Sequence, residues 1–144
     1  MPTRKKIKII IDTNLFISFL IGKRLHRLKQ TLIDSSTELI FAEQNINELI
    51  IVTSRDKFRK YFTIRDVENL VDFIRITSKV YEIKRIKKIC RDSKDDFLLA
   101  LAKRGKANFL ITGDNDLLDL KNYGKTKIIS IDEFEKILES GTKA

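Results

Sequence analysis

Cysteine, histidine, proline and methionine each occur once in the 144 residues. A single cysteine, Cys90, excludes an internal disulfide and a cysteine-built zinc site, and that usage suits a reducing cytosol. A single histidine, His26, excludes His-rich metal centres and most Ser/His chemistry. It lies in KRLHRLKQ, a basic helical face, and reads as a surface or half-buried residue. One Pro, five Gly, no Ser/Gly-rich linker and no internal repeat leave nothing to divide the chain. Residues 1–144 are therefore expected to form one domain, flexible only at 1–5 and about 140–144.

An apolar run long enough for a bilayer is also missing. TRKK followed by apolar residues imitates a secretion signal, but Asp12 and Asn14 interrupt the run and no small-residue cleavage site follows. Residues 7–21 are too short to span the hydrocarbon core. The expectation is a cytoplasmic protein without membrane contact.

Positive charge, in contrast, is abundant. Lys and Arg number 29 against 20 Asp and Glu, a formal charge of +9. Such a surplus favours polyanionic partners, nucleic acid before an anionic membrane surface. Hydrophobic residues make up 42% of the chain. A chain of this length buries roughly 68–70% of its unfolded surface, enough for a self-sufficient core.

The apolar pattern alternates between two periods. IKIII (7–11), TELIFA (37–42), KVYEIK (79–84), ANFLIT (107–112) and KIISI (127–131) read as strands. IKIII is continuous and β-branched, as in a strand buried on both faces. Helices are expected at 14–21, about 24–35, 44–55, 63–78, 93–105, 115–120 and 132–140, with a turn or short helix near RDKFRKYF. Thr63, Ser93 and Asp132 stand in capping positions and Gly105 in a stop position. Strands alternating with helices predict a three-layer α/β/α sandwich around a parallel sheet of about five strands. Working groups in such sheets lie beyond the carboxyl ends of strands, where the strand order reverses.

Four segments set acid against an apolar background. Asp12 ends the first strand in IIIDTN, Glu48 lies within NINELIIV, Asp95 opens DDFLLALA, and Asp114 and Asp116 follow FLIT. Asp95 has Leu98, Leu99 and Ala102 at i+3, i+4 and i+7, so it shares the helix face that should be buried. Asp96 is expected further towards solvent, and Asp92 as a capping acid. Taken singly, each acid also reads as a cap, a turn residue or a solvated flank. Taken together, two carboxylates about 5 Å apart repel by roughly 3 kcal/mol at an effective dielectric of 20. A cluster therefore calls for a cation or for protons. Oxygen ligands without His or Cys suit Mg²⁺ or Mn²⁺, and such centres commonly serve phosphoryl chemistry.

With these segments in order, the chain resembles the PIN domain family, small metal-dependent ribonucleases that include the VapC-type toxins of toxin–antitoxin pairs. The resemblance rests on IIIDTN, INELIIVTSRDKF, CRDSKDDFLLALA, ANFLITGDNDLL and IISIDEFEKIL, from Ile7 to about Leu138. It implies metal binding and catalysis by Asp12, Glu48, Asp95 and Asp114, with Asp116 supporting a second ion. Asn14 and Thr112 match polar positions that orient the acids or the substrate. One or two Mg²⁺ or Mn²⁺ ions, an RNA substrate, an inhibitory antitoxin and a homodimer are implied as well. Arg55, Lys57, Arg59, Lys103 and Arg104 are the candidates for RNA backbone contacts. Phe58, Tyr61 and Phe62 either stack on bases or pack their turn against the domain. A PIN nuclease of RNA processing outside a toxin pair, and a non-catalytic RNA- or partner-binding PIN module, are the alternatives. A phosphoacceptor receiver domain needs two acids after the first strand and a Lys after the last, and IIIDTN and IISID lack them.

Overall fold

The computed structural model describes residues 6–22, 30 and 37–142. The helix expected over 24–35, with His26 and its basic cluster, lies outside them except for Gln30. So do the termini at 1–5 and 143–144. The strands are β1 (Ile7–Ile11), β2 (Thr37–Ala42), β3 (Lys79–Tyr81), β4 (Phe109–Ile111), β5 (Asn122–Tyr123) and β6 (Thr126–Ile129). The helices are α1 (Thr13–Ile21), α2 (Glu43–Thr53), α3 (Ile64–Thr77), α4 (Ser93–Gly105), α5 (Asn115–Leu118) and α6 (Ile131–Thr142), with a 3-10 turn at Asp56–Phe58.

The six strands form one sheet in the order β3-β2-β1-β4-β6-β5. All pairings are parallel except β5 with β6, a hairpin that the sequence pattern did not announce. Its turn passes through Gly124, whose φ of 58° suits a residue without a Cβ. Successive strand residues point to opposite faces. Ile9, Ile11, Leu39, Phe41, Ile111 and Ile129 pack on one side with Phe16, Ile46, Leu49, Leu70, Ile74 and Phe134 from α1, α2, α3 and α6. Ile10, Ile40, Leu110 and Ile128 pack on the other with Leu98, Leu99, Leu101 and Leu117 from α4 and α5. The result is the expected three-layer sandwich.

Helix ends depart from expectation at three points. Asp92, not Ser93, caps α4 by accepting the N–H of Lys94 at 2.9 Å. Ser130, not Asp132, holds the start of α6, its Oγ accepting the N–H of Glu133 at 3.2 Å. In both cases the cap is the residue whose oxygen reaches the N–H two or three positions on. Gly105 is still helical, and Lys106 ends α4 in the left-handed region with φ 53°. A Cβ on Gly105 would lie 3.0 Å from two side-chain atoms of Ile40 and 3.2 Å from the Tyr81 ring, so this glycine lets α4 close onto β2 and β3. Thr63 caps α3 as expected, in a reciprocal pair with Asp66. The closing helix runs through 140–142, beyond its expected end.

Candidate metal centre

The chain order of the strands reverses at β1. The sheet grows from β1 through β2 to β3 on one side and restarts with β4 on the other. Ile11 is in register with Ile111, so Asp12 and Thr112 emerge abreast at the carboxyl ends of neighbouring strands. Thr112 Oγ1 donates to Asp12 Oδ2 at 2.8 Å and accepts the N–H of Asp114 at 3.0 Å. One hydroxyl, a hundred residues from Asp12 in sequence, thus ties the Asp12 carboxylate to the backbone of Asp114. Thr112 is almost fully buried, which keeps water from competing for these bonds.

A cleft of about 780 Å³ opens above this switch point. Asp12, Asn14, Glu48, Asp92, Asp95 and Asp114 line it, and among the described residues Lys94 is its one cation. Asp12, Asp92 and Asp114 share a local device. Each caps a helix, accepting the N–H of Asn14 at 3.1 Å, Lys94 at 2.9 Å and Asp116 at 2.9 Å. The bond engages one carboxylate oxygen and orients the other. Asp95, Asp114 and Asp116 come closest together, offering one oxygen each within 4.8 Å of one another. Asp12 stands beside this triad through Thr112. Glu48, on α2, lies across the cleft with Lys94 Nζ 3.9 Å from its Oε1. Asp116 is exposed and faces Arg91 Nη2 at 3.5 Å.

Asp95 is buried to 4% exposure, and its Oδ2 has no hydrogen-bond partner among the described residues. Burial first, then the adjoining Asp114 carboxyl, then repulsion from Asp92 and Asp12 push its pKa up to about 7. A buried carboxyl with one oxygen lacking a donor, grouped with two further carboxylates, has the chemistry of a cation ligand. The oxygen-only donor set fits Mg²⁺ or Mn²⁺.

Helix phase separates Asp95 from Asp96 by direction but not by burial. Asp96 was expected towards solvent, yet it too is 4% exposed. Its Oδ1 accepts the backbone N–H groups of Cys90 at 2.6 Å and Ile89 at 2.9 Å. Those donors, Cys90 first, hold its carboxyl below the ordinary range and direct it away from the cleft. Burial, followed by the charges of Asp96 and Asp95, pushes the Cys90 thiol up.

Of the basic candidates, Arg55, Lys57, Arg59, Lys103 and Arg104 all stand outside the acidic cleft. Arg59 pairs with Asp56 at 3.2 Å, and Lys57 lies over the Phe58 ring. Phe58, Tyr61 and Phe62 contact one another, with Tyr61 and Phe62 lining a small hollow against α3. Lys103 and Arg104 line a second groove. Among the polar cleft residues that the sequence pattern did not single out are Ser18, Asn45 and Lys94. Ser18 is one helical turn from Asn14, whose carbonyl its Oγ contacts at 3.1 Å. Asn45 is buried with its Oδ1 on the N–H of Ala42. Lys94 was hidden among the acids of DSKDD. Ser18, at i+4 from Asn14, and Asn45, at i−3 from Glu48, carried a periodic signal.

The PIN domain profile matches residues 8–116, and the chain belongs to the PIN domain family. PIN domains are generally metal-dependent nucleases, typically with divalent ions. The chain is 29% identical over 154 aligned positions to the "Uncharacterized protein MJ1680" of Methanocaldococcus jannaschii, a match covering 92% of this chain and 95% of that protein. Among the described residues no helix is long and apolar enough to cross a membrane.

Proposed function

We propose that this PIN domain is a Mg²⁺- or Mn²⁺-dependent endoribonuclease that hydrolyses RNA phosphodiester bonds, acting in the cytoplasm as the toxin of a toxin–antitoxin pair. The observation that carries the nuclease reading is the buried Asp95, with a partnerless carboxyl oxygen, grouped with Asp114 and Asp116 beside the Thr112-fixed Asp12. Four acids in one place at a strand-order reversal are costly without a cation and useful with one.

Asp12, Asp95 and Asp114 hold the ion in this reading. Glu48 and Asp116 extend the donor set towards a second ion. Thr112 and the backbone of Asn14 orient Asp12, and Lys94 offsets charge on the Glu48 side. A bound divalent ion supplies an activated water and neutralises charge on the reacting phosphate. The net charge of +9 supports a polyanionic substrate. The toxin role is the narrower part of the proposal. It brings with it an antitoxin segment covering the cleft and a homodimer.

The test is RNA hydrolysis by the purified protein with added Mn²⁺. Cleavage should vanish with EDTA and in Asp12→Asn, and expression should arrest growth only when Asp12 is intact. Undiminished cleavage by Asp12→Asn refutes the nuclease reading. Cleavage without growth arrest removes the toxin role alone.

A further inference from the structure

Residues 82–92, between β3 and α4, form an irregular strap pinned at both ends. At one end Ile83 is buried and its carbonyl accepts from Gln44 Nε2 at 2.9 Å. At the other, Asp96 takes the N–H groups of Ile89 and Cys90. The residues between, Lys84, Arg85, Ile86, Lys87 and Lys88, are all exposed. Pinning the ends to the sandwich holds this arc of charge at a fixed place.

A groove of about 840 Å³ runs beside the strap. Lys84, Arg85 and Lys87 contribute one wall, and Lys103 and Arg104 of α4 contribute the other. None of the five forms an ion pair among the described residues. Arg104 stacks its guanidinium 4.9 Å over the Tyr81 ring, which fixes its direction. The groove has two carboxylates, Glu82 and Asp96, and Asp96 is already engaged by backbone donors. Ile86, 49% exposed, lines both this groove and the acidic cleft, so the two depressions meet at its side chain. Ile89, 39% exposed, and Tyr123 add apolar surface along the groove.

From this juxtaposition we infer that the strap groove binds the flank of a single-stranded polynucleotide whose neighbouring phosphate lies in the acidic cleft, with Lys84, Arg85, Lys87, Lys103 and Arg104 on the backbone and Ile86 against a base. The inference rests on the ribonuclease reading for the occupant of the cleft, and it assigns a separate surface. Cations without an ion pair among the described residues favour phosphates. Apolar side chains between them favour unstacked bases, which a duplex keeps inside its stack. A metal centre repels a strand until it is loaded, so a cationic track leading up to it also recruits substrate.

The test measures binding in EDTA, where neither metal nor hydrolysis enters. A fluorescein-labelled single-stranded RNA dodecamer is titrated across a range of salt. Replacing Lys84, Arg85 and Lys87 together by Gln should lower the slope of log affinity against log salt by about two, from about 0.7 for each lost phosphate contact. The same number of charges removed at Arg55, Lys57 and Arg59 should leave the slope unchanged. Should the strap variant melt early, Lys103→Gln on the opposite wall reads the same quantity, with an expected drop of about 0.7. Equal slopes in wild type and both groove variants overturn the inference, as does loss of slope through the 55–59 variant. Tighter binding of the matching duplex, or of poly-glutamate as a mimic of an acidic protein segment, also overturns it. A protein that binds through the groove yet never cleaves RNA removes the nuclease reading and keeps this one. Metal-dependent cleavage with a salt slope indifferent to the groove does the reverse.

Discussion

Asp95 carries a charge in the place least able to hold one. Its pKa of about 7 in the fold stands above the ordinary 3.8. Below about pH 4 the acid is protonated in both the folded and the unfolded chain, and no penalty arises. As pH rises towards 7 the unfolded chain gives up this proton while the folded chain retains it, so stability falls by a few kcal/mol and then levels off. On the proposed reading a divalent ion held by Asp95 would displace the same proton. Thermal melts with and without Mn²⁺ should therefore show a small rise in Tm near pH 5 and a larger one above about pH 7. An increment independent of pH, or one retained in full by Asp95→Asn, removes Asp95 from the ligand set. Thr112 offers a second residue-level test. Thr112→Val keeps the shape but strands the N–H of Asp114 and releases Asp12. The expected cost is about 1–3 kcal/mol in urea unfolding, with about 10- to 100-fold weaker Mn²⁺ binding by titration calorimetry. Unchanged binding would mean that Asp12 needs no such support.

At the level of elements, α4 brings Asp95 to the cleft, and its seating on the sheet depends on Gly105. In an isolated helix Ala beats Gly by about 1 kcal/mol. Here the added Cβ meets two atoms of Ile40, itself 1% exposed, and the Tyr81 ring. Gly105→Ala should accordingly lose about 1 kcal/mol net, the crowding outweighing the helical gain. A higher urea midpoint would show that Ile40 can yield. The same helix marks the boundary of what periodicity reveals. Its span from Ser93 to Gly105 was legible from the apolar spacing, and so was the inward direction of Asp95. The burial of Asp96 was not, because its partners Ile89 and Cys90 belong to a strap without periodic pattern. Strand β5 was missed for a related reason. Two residues carry no alternation, and only the tight turn at Gly124 hints at them.

Across the whole molecule, the sandwich could be foreseen because a parallel sheet covered on both faces writes continuous apolar runs into the sequence, IKIII and FLI among them. Convergence of the acids could not be derived that way. Periodicity places a residue on a face, and only strand order places two faces together. Resemblance to a family supplied that order, and the pairing of β1 with β4 now gives its physical basis. The distribution of charge was similarly hidden, since a total of +9 does not say that carboxylates gather in one depression and, among the described residues, cations without an ion pair in the next. The pairing of β1 with β4 has a further consequence in time. During synthesis Asp12 is made a hundred residues before Thr112, the partner that fixes it. A nascent chain that has not reached Thr112 holds Asp12 without its partner, and the pocket closes only after the acids beyond Thr112 have followed.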